Sequence, residues 1–446
     1  MTEKITLKDI GGYEDEKKEA RKLIGLLSHF KEYQEQGAYV PKGLILSGPA
    51  GVGKTMFAKA IATESYVPLL EFESTETEDS KETVANLRAL FEKARKSTPC
   101  IVFIDELDEL VSSLHFASDY SRKTLKVLLT EIDGLKNSDG IMIIATTNAR
   151  EELPLPLIRS GRMDKQIDFS LPDVASRESI FDIYLSKNPI LKGISAKSLA
   201  EKTENLSGAD IKNLINETVI DSISRKAASI TEEDIEKNIP EIMFGDIKKA
   251  RKGLPSERIC YHELGHFICG YVLKNEIGLV STERYGQVVQ GFTMYEGTRE
   301  KEDQIMTVKE MEAEAATGLG GLAAEMVFLK DGSSGCRSDV INVSNIVGNM
   351  LSSGALGMQY ISCPFSGGGM FASKLSEKYS EIIDGKGREI LSDCLEKAKA
   401  IVVENKDLLL HLCKPLQEKG RLTKKEMTDL LAGYRKEKTG RIPESC

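Results

Sequence analysis

Apolar and polar positions divide the chain into stretches of two kinds. In the first 150 residues, short unbroken apolar runs end abruptly in polar turns. GLILS opens residues 43–62, CIVFI opens 100–110 and GIMIIA opens 140–148. Runs of this length without alternation predict strands buried on both faces. Each is followed by residues with helical spacing, so a doubly wound parallel sheet is expected, with ligands at the carboxyl ends of its strands. From Ala175 to about Asn238 the pattern is helical throughout, with Ser207 as an N-cap and Asp210 three residues on.

The second half is mainly helical. In CYHELGHFICGYVL, residues 260–273, the apolar set Leu264, Phe267, Ile268, Tyr271 and Val272 forms one stripe. His262 and His266 share the opposite face, roughly 180° from the centre of that stripe. Cys269 and Leu273 lie on the histidine side, so it too is expected to be largely covered. GLGGLAAEMVF, residues 318–328, is a small-residue helix suited to close packing. The loop DGSSG follows, and SDVINVSNIVGNML begins another helix. GQVVQGFTMYEG, residues 286–297, has strand character between turns.

With 446 residues, the chain is long enough for two or three domains. A net charge of −9 and the lack of a strongly basic stretch argue against nucleic acid as a partner. Eight scattered cysteines without a C-x-x-C pair point to a reducing compartment rather than a disulfide framework. The N-terminus has no signal-peptide pattern, and no apolar run approaches the roughly 18–20 residues that span a bilayer. The expected location is cytoplasmic, with membrane association only through an anchor or partner outside this chain.

Chemistry enters at the ends of the predicted strands. Gly48-Pro49-Ala50-Gly51-Val52-Gly53-Lys54-Thr55 fits G-x-x-x-x-G-K-[ST]. The glycines let backbone N–H groups wrap phosphates, Lys54 reaches the outer phosphates, and Thr55 can hold Mg²⁺. Asp105 and Glu106 end the second strand, where one acid completes a Mg²⁺ site and the next polarises the attacking water. Thr146, Thr147 and Asn148 end the third strand, suited to sensing the γ-phosphate or holding water. Arg159 and Arg162 flank a Ser-Gly turn and are either phosphoryl-stabilising forks acting across a subunit boundary or solvated surface arginines. In the second half, imidazoles at 262 and 266 supply two of the three protein ligands of a catalytic zinc, and Glu263 can carry the proton. The bland alternative is a pair of structural histidines. The third ligand lies outside this segment.

The phosphate loop, FIDELD, ATTN, IRSGRMDKQIDFSLPD and LSGADIKNLINE occur in the order of an AAA+ ATPase, and YHELGH follows after a helical connector. The combination resembles the FtsH family of ATP-dependent zinc metalloproteases over residues 5–433. The resemblance implies an α/β AAA+ nucleotide-binding domain (1–172), a helical lid (173–245), a mainly α-helical zinc peptidase domain (250–435) and a tail (436–446). It also implies a homo-hexamer that couples ATP hydrolysis to degradation of protein substrates, with Zn²⁺, ATP and Mg²⁺ as cofactors. Position by position, it makes Lys54 and Thr55 nucleotide-binding residues, Asp105 and Glu106 the Mg²⁺ and water residues, Asn148 the sensor, and Arg159 and Arg162 trans-acting fingers. It makes His262 and His266 zinc ligands and Glu263 the catalytic acid/base.

The family's third ligand maps through SSGCRSDV onto Asp339. An aspartate in the first turn of a packed helix can reach a metal, or can simply favour the helix dipole. Glu325 is the rival ligand and otherwise orients a histidine. The resemblance makes 286–297 an edge strand that pairs with substrate, and an ordinary hairpin is the alternative. Two departures stand out: the family's N-terminal membrane helices are not in this chain, and the place of its aromatic threading loop holds ESTETEDSKETV, residues 73–84. An acidic loop without an aromatic is expected to grip folded substrates weakly, unless Phe72 or the segment 114–120 does the gripping. A remodelling or scaffold ATPase whose peptidase domain does not cut is the competing function.

Overall fold

The apolar runs pair into a five-stranded parallel sheet in the order β2-β3-β4-β1-β5. Its strands are β1 (Gly43–Ser47), β2 (Leu69–Glu71), β3 (Cys100–Ile104), β4 (Ile141–Thr147) and β5 (Lys165–Asp168). The computed structural model describes residues 4–37, 41–72, 80–111, 119–136, 140–227, 229–244, 257–274, 277–284, 291–295, 305–353, 356 and 377–439. Two units divide the chain, Met1–Met243 and Phe244–Cys446.

Every residue of β1, β3 and β4 is buried, because both faces of the sheet are covered. The pleat sends Leu44 and Leu46 to one face and Ile45 to the other. The first face packs against α1 (Glu14–Ser28) and α3 (Lys54–Ser65), whose Leu23, Leu27, Phe57 and Ile61 are buried there. The second packs against α4 (Ser80–Lys96) and α6 (Asp119–Asp133) through Leu87, Phe91, Leu128 and Ile132. Short helices α2 (Phe30–Glu35) and α5 (Leu107–Val111) follow α1 and β3. Register aligns Ser47 with Thr147 on one side and Asp168 on the other, so the carboxyl ends meet at one edge.

Four helices complete this unit: α7 (Val174–Lys187), α8 (Ala196–Lys202), α9 (Gly208–Ser224) and α10 (Glu232–Phe244). Ser207 caps α9 in a reciprocal box with Asp210, as its spacing predicts. Asp173 and Ser195 cap α7 and α8. The buried Arg177 guanidinium staples α7 to α8 by donating to Ala200 O at 3.0 and 3.1 Å.

The second unit contains α11 (Glu257–Lys274), β6 (Gly278–Ser281), β7 (Phe292–Tyr295), α12 (Val308–Gly318), α13 (Gly320–Leu329), α14 (Arg337–Ser352), α15 (Glu377–Glu404), α16 (Lys406–Lys419), β8 (Arg421–Leu422) and α17 (Lys424–Thr439). Its sheet is antiparallel, in the order β7-β6-β8, so β7 is an edge among the described residues. Leu264, Phe267 and Ile268 of α11 are fully buried together with Cys260, and so is Cys269 on the histidine side. Val272 is 45% exposed, so the predicted stripe leaves the core within the last turn of the helix. The small-residue stretch is helical as α13 from Gly320, and its first residue, Gly318, closes α12. Glycines let α13 cross α11 backbone to backbone: a Cβ on Gly265 would lie 2.3 Å from Gly320 O, and one on Gly320 2.5 Å from Gly265 O.

The acidic stretch 73–84 includes the start of α4. The chain is already helical from Ser80, and Thr83 is buried beside the Tyr120 hydroxyl. Residues 73–79 and 112–118 lie outside the described residues. Phe72 and Tyr120, considered as gripping aromatics, pack against the sheet core, which is the burial their apolar surface favours.

Because the atoms facing Gly320 are backbone, a methyl group there has no flexible neighbour to displace. Gly320→Ala should destabilise the second unit by about 1–3 kcal/mol. Chemical denaturation of the full chain should resolve this loss, and an unshifted midpoint would mean that α11 and α13 can separate freely.

Candidate functional site

Two sites emerge, one in each unit. The first is a cavity of about 340 Å³ at the carboxyl ends of the parallel strands. Ala50 to Thr55, Asp105, Glu106, Thr146 and Asn148 line it, as the sequence predicts. Lys54 opens α3 with its ammonium buried and donating to Gly48 O (2.6 Å), Pro49 O (2.7 Å) and Asn148 Oδ1 (2.8 Å). Burial lowers its pKa, against the opposing pull of Asp108, Asp105 and Glu106. Thr55 Oγ1 donates to the Asp105 carboxylate, 3.1 Å from either oxygen, and Thr146 Oγ1 donates to Asp105 Oδ1 at 2.5 Å. This is a hydroxyl and a carboxylate set beside a phosphate loop, as a Mg²⁺–nucleotide pair requires.

Glu106 adopts a left-handed φ of 52°, uncommon for a side chain larger than glycine. Its N–H donates to Thr146 Oγ1 at 2.9 Å, which holds that turn. Glu109 and then burial keep its carboxyl above the usual range.

The sequence reading missed the rest of this cavity. Asp9, Ile10, Gly11 and Tyr13 line it from the N-terminal segment, and Ile180, Ile183, Tyr184, Gly208, Ala209 and Lys212 from α7 and α9. The glycine pair after Asp9 and the Ser-Gly-Ala opening of α9 were the available signals. Ala209 N donates to Gly51 O at 3.0 Å, and a Cβ on Gly51 would meet Ser207 Oγ at 2.5 Å.

Arg159 and Arg162 differ in setting. Arg159 is exposed. Arg162 grips Asp133 with both prongs, Nε to Oδ1 at 2.7 Å and Nη2 to Oδ2 at 2.8 Å, and also donates to Pro156 O. This fork lowers the Asp133 pKa and fastens the turn to the end of α6.

In the second unit, one turn of α11 separates His262 from His266, and Asp339 approaches from the first turn of α14. Their ligand atoms lie within 4.8 Å of one another. Asp339 Oδ2 is 3.2 Å from His262 Nε2 and 3.5 Å from His266 Nε2, and the two Nε2 atoms are 3.2 Å apart. That oxygen is buried and accepts no well-formed hydrogen bond. Each Nδ1 is occupied elsewhere: His262 Nδ1 meets Glu325 Oε1 at 2.9 Å, and His266 Nδ1 meets Thr317 O at 3.0 Å. Both Nε2 lone pairs are thereby directed to the shared point. Two imidazole nitrogens and one carboxylate oxygen fit Zn²⁺, with a fourth position left over.

Burial raises the Asp339 pKa, but the two imidazoles outweigh it and hold the carboxyl well below the usual range. Burial lowers His266, but Asp339 and Glu263 outweigh it and bring the imidazole up to about 9, so a proton competes with metal there.

Glu325 sits on the far nitrogen of His262, outside this cluster. It is 1% exposed and also accepts from Arg258 Nη1 (2.5 Å) and Ser333 Oγ (2.9 Å). Glu263 is buried, and burial raises its pKa, with His266, His262 and a hydrogen bond from Thr293 acting against that shift.

Comparison with known proteins joins the two sites. The ATPase family associated with various cellular activities (AAA) matches residues 44–171, the AAA+ lid domain 193–237, and peptidase family M41 249–430. An ATP-dependent zinc metalloprotease FtsH of Trieres chinensis is 34% identical, over 96% of this chain and 69% of its own length. The chain belongs to the FtsH family. Other FtsH proteases are similarly related: FtsH 1 of Thermoanaerobacter sp. (strain X514) at 32% and FtsH 2 of Bdellovibrio bacteriovorus at 33%, each matched over 96% of this chain and 73% of its own length. Membership in the FtsH family brings ATP with Mg²⁺, and Zn²⁺, as cofactors. Among the described residues, no helix is long and apolar enough to cross a membrane.

The metal geometry separates Asp339 from Glu325. Asp339→Asn should lose most zinc affinity in chelator competition, while Glu325→Gln should weaken it about 10–100-fold. A larger loss from Glu325→Gln would reverse the assignment.

Proposed function

We propose that this chain is an ATP-driven endopeptidase that cuts polypeptides at the His262–His266–Asp339 cluster and hydrolyses ATP in the cavity around Lys54. The observation that carries the reading is the meeting of two imidazole nitrogens and a buried carboxylate oxygen without a well-formed hydrogen bond beside the buried Glu263. His262, His266 and Asp339 would hold a zinc ion, which would supply a Lewis acid that lowers the pKa of water at that point. Glu263 takes the proton from the attacking water and returns it to the leaving amine. Strand β7 offers its open edge to an extended substrate chain.

At the nucleotide, the amides of the loop from Gly48 to Gly53 cradle the phosphates and Lys54 neutralises their outer charge. Thr55 and Asp105 hold Mg²⁺, Glu106 orients the attacking water, and Asn148 contacts the γ-phosphate. Arg159 and Arg162 serve a neighbouring subunit's nucleotide, Arg159 by reaching it and Arg162 from the turn it fastens through Asp133. This makes a ring the working form, and six subunits is the number we propose. The division into 1–172, 173–245, 250–435 and 436–446 assigns base, lid, peptidase and tail. A cytoplasmic location accords with the buried free thiols of Cys100, Cys260, Cys269, Cys336, Cys394 and Cys413.

Glu263→Gln should keep stoichiometric zinc and lose peptide hydrolysis by about 10²–10⁴-fold. Cleavage of a folded protein should require ATP and fail with a non-hydrolysable analogue. Retained cleavage by Glu263→Gln would remove the central assignment.

The arginines are tested by mixing. Arg159→Ala alone should bind ATP but turn it over poorly. Assembly with the inactive Asp105→Asn subunit should restore part of the ATPase, since some interfaces then hold both functions. If verified mixed oligomers stay inactive at every ratio, Arg159 does not act across the interface.

A further inference from the structure

The carboxylate of Glu263 is almost fully buried, and what aims it comes from the edge strand rather than from its own helix. Thr293 Oγ1 lies 3.0 Å from Glu263 Oε2 and 2.9 Å from Glu263 O, placed to donate to either. Two residues before, Gly291 has φ +146°, and a Cβ there would fall 2.8 Å from Glu263 Oε1. The two ends of this carboxylate are therefore shaped by β7 and the residue leading into it.

The strand pleat explains why. Phe292 and Met294 pack with Leu279 on one face of the small sheet. Thr293 and Tyr295 take the opposite face, towards α11. There the Tyr295 hydroxyl donates to His266 O at 2.5 Å. Two hydroxyls two residues apart thus register β7 against α11 at Glu263 and at His266. Register against β6 is set independently, with Val280 opposite Thr293 and Gly278 opposite Tyr295.

We propose that Thr293 is the positioning residue for Glu263, and that it ties the strand that seats substrate to the group that moves the proton. The proposal rests on the reading of Glu263 as the proton carrier. A substrate chain that pairs along β7 presses on the element that holds the carboxylate, so seating and proton transfer share one support. A threonine serving only to pack β7 on α11 would act through its methyl group, and valine would replace it without loss.

The test compares Thr293→Val, which keeps shape and loses the donor, with Thr293→Ser, which keeps the donor. Full-length chains are assayed for zinc affinity by chelator competition and for cleavage of an unstructured peptide. Thr293→Val should lower kcat on the order of 10-fold, with KM and zinc affinity within about 2-fold, because the base is displaced while ligands and binding edge remain. Thr293→Ser should recover most of the lost turnover. In a Glu263→Gln background, Thr293→Val should lower the residual rate no further. Full kcat in Thr293→Val, a parallel loss of zinc, or a serine variant as slow as valine would each overturn the proposal. Should Thr293→Val fold poorly, Thr293→Ala against Thr293→Ser gives the same comparison. Cleavage retained by Glu263→Gln alone would instead defeat the reading beneath it.

Discussion

The close crossing of α11 and α13 is the constraint on which the metal cluster depends. With Gly265 and Gly320 each fitted against the other's carbonyl, the two helix axes approach until no side chain separates them at that point. Glu325, farther along α13, then reaches the back of His262, and Thr317, at the end of α12, presents its carbonyl to His266. Both imidazoles are turned by partners outside the ligand set. Asp339 from α14 meets nitrogens whose direction has already been decided.

Around that crossing the site is layered by burial. Glu325 is a nearly fully buried carboxylate, tolerable only because Arg258, Ser333 and His262 surround it. Glu263, one residue round the helix, has fewer hydrogen-bond partners and a pKa displaced upwards by burial. The same helix thus bears one imidazole set by a charged network and one carboxylate set by a hydroxyl. Arg258 and Thr293, lying outside the His-Glu-x-x-His motif, complete the environment of residues within it.

What the sequence made legible follows chain distance. The phosphate loop, the acids after β3 and the histidine pair are each organised by a single turn, so residue spacing carries their geometry. The buried strands and the Ser207 cap were readable for the same reason. Asp9, Tyr184 and Lys212 reach one cavity from three separate segments, and no local pattern encodes that meeting. The Arg162–Asp133 fork spans 29 positions, and the contact from Thr293 to Glu263 spans 30. Ser80 begins a helix although its neighbours read as an acidic loop, because Leu87 and Phe91 farther along draw the segment onto the sheet. Asp339 was reachable through the resemblance to a known family; its own sequence neighbourhood suits a helix-opening acid equally well.

The hydrogen bond from Ala209 to Gly51 joins the phosphate loop to α9 through main-chain atoms alone. Deleting side-chain atoms leaves both partners in place, so a scan by truncation passes over this contact in silence. Only added bulk can probe it, and at Gly51 even one carbon would strike the Ser207 hydroxyl. Alanine at Gly51 is itself that added carbon, so a scan by alanine tests the contact from its glycine end and leaves Ala209 as it stands.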